Sequence, residues 1–122
     1  MDLPKKFELK KPWGGFMQFC HNEKVTVKIL HIKPGSKLSL QYHQSRDEFW
    51  YVIEGTGTIV LDDKQFNVVA GDECFIRRGQ KHRIVTTGSG MRVLEVSYGD
   101  FDEKDIIRLE DSYGREGTND IH

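Results

Sequence analysis

Short runs rich in β-branched and aromatic residues, each closed off within a few positions by turn-forming residues, restrict the folds open to this chain more than any other feature. They cover 15–20, 25–33, 37–42, 48–54, 58–61, 65–68, 73–77, 82–87 and 91–98. The breaks include His21-Asn22-Glu23-Lys24, Pro34-Gly35, Asp62-Asp63-Lys64, Ala70-Gly71-Asp72 and Thr87-Gly88-Ser89-Gly90, all with the chemistry of turns. Eight or nine strands joined this closely leave no room for crossover helices. The sheets must then be antiparallel and either closed or double-layered, so the expected fold is all-β, a single jelly-roll barrel.

A chain of 122 residues is long enough for one such domain and too short for two. The expected division is an arm over 1–14, the barrel over 15–99 and an extension over 100–122. In the extension, 102–109 is expected to form a short helical segment with Asp102 as its N-cap, ahead of a frayed polar tail over 116–122. Lysine and arginine number 18 against 19 acidic residues, which points to neither nucleic acid nor an anionic membrane as a partner. No apolar run is long enough to span a bilayer, and the polar start does not read as a signal peptide, so the expected compartment is the cytoplasm. Cys20 and Cys74 lie far apart in no metal-type spacing; they read as buried or incidental thiols, without a disulfide framework.

The residues able to bind a metal cluster in one stretch. Gln41 and His43 are two apart, so on an extended strand they project from the same face, into the lumen of a barrel. Glu48 begins the next strand after a four-residue turn, and His82 opens a later one. Two imidazoles, one carboxylate and one amide oxygen make a borderline-hard donor set that leaves a divalent ion with net positive charge and Lewis acidity. Singly, each residue reads equally well as a surface or hydrogen-bonded group. Their spacing, continued well beyond the ligands, is what distinguishes them.

That spacing resembles the two motifs of the cupin family. Gly35, Gln41, His43, Glu48 and Gly55 stand in the frame of the first motif, with Gln41 in place of its first histidine. Gly71, Gly79 and His82 stand in the frame of the second, which departs at Arg77, where the family has proline, and at Thr86, where it has asparagine. Within the cupins, the chain resembles the isomerase domain of type II mannose-6-phosphate isomerases. Lys11-Pro12-Trp13-Gly14, Leu38-Ser39-Leu40-Gln41, Arg46, Trp50, His82-Arg83, Leu94-Glu95-Val96 and the run from Asp105 to Arg115 carry the likeness over roughly 11–115. Ser45 and Phe49 stand where that family commonly has histidines. Many type II proteins carry this domain behind a nucleotidyltransferase; no such sequence lies within these residues, and sugar-nucleotide synthesis is not assigned to them.

The resemblance implies a divalent metal, with zinc as the expected ion, held by Gln41, His43, Glu48 and His82. It also implies a small sugar-phosphate substrate and a homodimer. Aldose-ketose isomerisation needs a base, stabilisation of an enediolate and an anchor for phosphate. Glu95, set among apolar residues, is the candidate base, although a position on the outer face suits it equally; Lys33, Lys81 or a metal-bound hydroxide are alternatives. Arg46, Arg83, Lys81, Arg108 and Arg115 are candidates for catalytic or phosphate-binding cations, with Arg83 expected to point outward by alternation if His82 points in. Trp50 shares parity with Glu48 and is a candidate wall for a sugar ring, or a core residue. Two other readings stay open: a non-catalytic sugar- or metabolite-binding cupin, and a small dioxygenase, which Gln41 disfavours as a poor donor to redox-active iron.

Overall fold

The computed structural model describes residues 6–114. Among them are eleven strands and no helix: β1 (Phe7–Lys11), β2 (Gly14–Gln18), β3 (Val25–Ile32), β4 (Leu40–Tyr42), β5 (Asp47–Gly55), β6 (Gly57–Leu61), β7 (Lys64–Val68), β8 (Glu73–Ile76), β9 (His82–Val85), β10 (Met91–Tyr98) and β11 (Ile107–Glu110). No helix of the described residues is long and apolar enough to cross a membrane. Candidate residue Arg115 and the tail over 116–122 lie outside the described residues.

Two antiparallel sheets make the jelly roll. One has the order β3-β10-β5-β8 and the other β11-β4-β9-β6-β7; β1 and β2 form a separate hairpin. Strand alternation sorts the side chains. On β5, Glu48, Trp50 and Val52 face inward, and on β10, Val93, Glu95 and Ser97 meet them, since Trp50 pairs with Glu95 and Glu48 with Ser97. The inward apolar residues of both sheets, including Trp50, Val52, Val93, Ile76, Ile59, Ile84 and Val68, build one buried core. Burying each such side chain contributes about 1.5–3 kcal/mol relative to leaving it exposed. The opposite parity makes a second cluster on the outer face of the four-stranded sheet, where Phe49, Val96 and Tyr98 are covered by Phe19, Cys20 and Tyr51. Both cysteines are free and half-buried.

Tight joints close the lumen at the end away from Glu48. Gly55 sits at φ +89°, and a Cβ there would lie 2.0 Å from the Gly90 carbonyl oxygen, so only glycine fits. The β6-β7 hairpin turns through Asp62 at φ 53°, a conformation that aspartate tolerates.

Two sequence expectations are corrected. The stretch expected to be helical instead contains β11, which pairs Ile107 with Tyr42 and Arg108 with Gln41. The free edge of β4 needs partners for its backbone groups, which an extended Ile-Arg-Leu-Glu segment supplies and a helix would not. Asp102, expected as an N-cap, accepts from the Lys104 backbone N–H in a turn. The N-terminal arm also contains regular structure, because β1 and β2 pair over their full length.

Candidate metal centre

Three strands bring the candidate ligands together. β4 carries Gln41 with His43 just beyond its end, β5 carries Glu48 and β9 opens with His82. One ligand atom from each of His43, Glu48 and His82 lies within 4.8 Å of the others, and all three residues are buried. Gln41 stands directly across the strand pair from His82. Its Oε1 accepts from the Ser39 hydroxyl at 2.8 Å, and the second lone pair of an amide oxygen stays available.

Hydrogen bonds fix which nitrogen of each imidazole faces the cluster. His43 Nδ1 lies 2.6 Å from the Asp105 carbonyl oxygen and His82 Nδ1 2.9 Å from that of Gln80. A carbonyl can only accept, so both Nδ1 atoms carry the proton and both Nε2 atoms offer lone pairs inward. His82 Nε2 is buried with no hydrogen-bond partner among the described residues, 3.9 Å from Glu48 Oε1. An orphaned buried acceptor aimed at a carboxylate and a second imidazole is costly unless a cation completes it. The donor set thus fits a divalent metal; its chemistry admits zinc but does not single it out.

Burial drives the electrostatics. It lowers the His43 pKa to about 4 and that of His82 as well, against the pull of Glu48, keeping both imidazoles neutral and able to ligate. For Glu48, burial acts to raise the pKa, but His43, His82 and Arg46 outweigh it and hold the carboxyl below its ordinary value. The Trp50 indole N–H donates to Glu48 Oε1 at 3.2 Å, and its ring meets that of His82 edge-on at 5.4 Å. Trp50 therefore lies beneath the ligands and orients them, rather than standing open beside them.

The remaining candidates divide clearly. Arg46 is in the site: Nε donates to Glu48 Oε2 at 2.9 Å and Nη2 to His43 Nε2 at 3.3 Å. Arg108 is buried in the same cross-strand row as Gln41 and His82. Glu95 faces the lumen, where burial, reinforced by Glu48 and opposed by Lys28 and Arg46, raises its pKa to about 7. Arg83 is not brought in; its guanidinium lies on the other face of β9, bound to the Leu38 carbonyl at 3.0 Å and to Glu110 Oε2 at 3.0 Å. Lys81 is exposed, and its backbone pairs with Asp62. Alternation turns both away once His82 points in.

Sequence reasoning missed Lys28 and Asp105. Lys28 sits directly across from Glu95 on the inward parity of β3 shared by Leu30 and Ile32, a parity that was readable. Asp105 orients His43 through its carbonyl, and its carboxylate accepts from the backbone N–H groups of Gln44 and Ser45. Nothing local announces that role, because it joins segments some sixty positions apart.

Comparison with known proteins agrees with this architecture. Residues 3–111 match the family described as mannose-6-phosphate isomerase C-terminal. The chain is 37% identical over 110 residues to the alginate biosynthesis protein AlgA of Pseudomonas aeruginosa, covering 88% of this chain and 23% of that protein. It is 34% identical over 110 residues to mannose-1-phosphate guanylyltransferase of Klebsiella pneumoniae, again covering 88% and 23%. It thus spans about a quarter of the length of these curated relatives. Among solved structures, oxalate decarboxylase of Bacillus subtilis superposes with a TM-score of 0.65 at 26% identity, covering 71% of this chain and 24% of that one. With a cupin jelly roll, a buried His-Glu-His cluster and a family match over nearly the whole sequence, the chain belongs to the mannose-6-phosphate isomerase C-terminal family.

Proposed function

We propose that this protein is a metal-dependent sugar-phosphate isomerase that interconverts mannose 6-phosphate and fructose 6-phosphate. The observation that carries this reading is the convergence of His43, Glu48 and His82 in a lumen into which β10, the strand beside that of Glu48, presents the Glu95 carboxyl. A divalent cation held by these three residues and Gln41 supplies Lewis acidity toward the substrate oxygens at C1 and C2.

The rest of the chemistry falls to the protein's own side chains. Glu95, with a pKa near neutrality, takes a proton from one carbon and returns it to its neighbour. Trp50 and Arg46 hold the Glu48 carboxylate in place from either oxygen. Arg46 and Arg108, both buried in the lumen, supply fixed positive charge for an anionic substrate.

A coupled assay for fructose 6-phosphate formation by the zinc-loaded chain tests the proposal, with Gln41→Ala and His82→Ala as controls. Turnover lost in both variants supports it. Normal isomerisation by both rules out this site, and sugar binding without turnover by the native chain favours a binding protein instead.

A further inference from the structure

The strap between β10 and β11 is held by side chains of the site itself. Gly99, at φ +91°, turns the chain off the end of β10. The Phe101 ring then lies 4.3 Å from Lys28 Nζ and 4.4 Å from Arg46 Cζ. Arg46 Nη1 donates to the Asp102 carbonyl at 3.1 Å, and Lys28 Nζ donates to Glu103 Oε1 at 2.6 Å. Two cations thus share one aromatic ring, which orients both without neutralising either.

Lys28 reaches this point from the inward face of β3, yet its side chain is 32% exposed and that of Glu103 29%. Their ion pair therefore sits where the lumen meets solvent. A pair this accessible adds little stability and exchanges readily. A phosphate monoester offers more acceptor oxygens and more charge than one carboxylate.

We propose that Lys28 and Arg46 anchor the phosphate of a phosphorylated substrate, and that the Glu103 carboxylate holds the phosphate's place on Lys28 until substrate displaces it. This rests on the sugar-phosphate reading and adds to it the anchoring residue and a built-in competitor.

Calorimetric titration of the zinc-loaded chain with inorganic phosphate, mannose 6-phosphate and mannose tests the anchor. Lys28→Met is expected to weaken both phosphorylated probes by about tenfold or more, the worth of one charge-assisted hydrogen bond, and to leave mannose unchanged. Glu103→Gln is expected to tighten both about threefold by removing the competitor, a gain that no misfolded protein can imitate. Phosphate binding by Lys28→Met equal to that of the native chain, no tightening in Glu103→Gln, or no phosphate binding by the native chain would each overturn the proposal. The readout is binding, so a chain that takes phosphate in this way but does not isomerise would overturn the isomerase reading and leave the anchor standing.

Discussion

Arg46 donates from Nε to Glu48 Oε2 at 2.9 Å, with the two side chains 4% and 1% exposed. A permanent cation is thus bonded to the carboxylate that a metal would share. In the metal-free protein Arg46 compensates the buried Glu48 charge; with metal present, that compensation becomes partly redundant.

Replacing Arg46 with methionine strands a buried carboxylate and is expected to destabilise the metal-free protein by about 3 kcal/mol. Zinc should restore much of that loss, because a ligand bound only by the folded state stabilises it. Urea unfolding with and without chelator measures both; equal losses in the two conditions would show that metal and Arg46 do not share Glu48.

Trp50→Phe keeps the ring in the core but removes the indole N–H from Glu48. Zinc affinity is expected to fall about 10- to 100-fold, as for other groups that orient a ligand, with the fold intact. Competition against a chromophoric chelator reads the affinity, and a change below twofold would show that Glu48 needs no such support.

Glu95 ties stability and activity to pH with opposite signs. Its folded pKa of about 7 lies above the ordinary 4.5, so the folded state binds its proton more tightly than the unfolded chain does. Stability is fully present below 4.5, declines as pH rises to about 7 and is flat above, a loss on the order of 3 kcal/mol. Glu95→Gln should remove that decline, measured by unfolding at pH 4.5 and pH 8. Turnover should rise with pH through an apparent pKa at or below about 7, since a bound cation nearby lowers it, and Glu95→Gln should lose it.

Arg83→Met breaks bonds to Leu38 and Glu110 on the outer face of β9. A stability loss of about 1–3 kcal/mol is expected, with kcat within about twofold of the native value. A large fall in kcat without loss of zinc would place Arg83 in the chemistry after all.

Much of this protein can be read along the chain. Six of the nine expected strand runs match a single observed strand to within one residue at each end, from β3 with its Val-Thr-Val-Lys-Ile-Leu-His-Ile alternation to β10; the other three, 15–20, 37–42 and 82–87, begin early or end late relative to β2, β4 and β9. The candidate ligands were readable because parity places Gln41 and His43 on one face of their strand and a short turn brings Glu48, on the next strand, toward them. The outward turn of Arg83 follows from the same parity.

Pairing between distant segments decided the rest. Whether Ile107 to Glu110 forms a helix or a strand depends on the free edge of β4, far earlier in the chain, and its local charges and caps suit either. Glu95 could have faced solvent until its register against Trp50 and Lys28 set it in the lumen. Asp105 and Glu103 act on His43 and Lys28 only because the strap folds back across the sheets. Local sequence determines which faces a strand can offer, through the fixed alternation of its side chains. What each face meets is decided by long-range backbone hydrogen bonding and by the burial it enforces, and no local pattern encodes these.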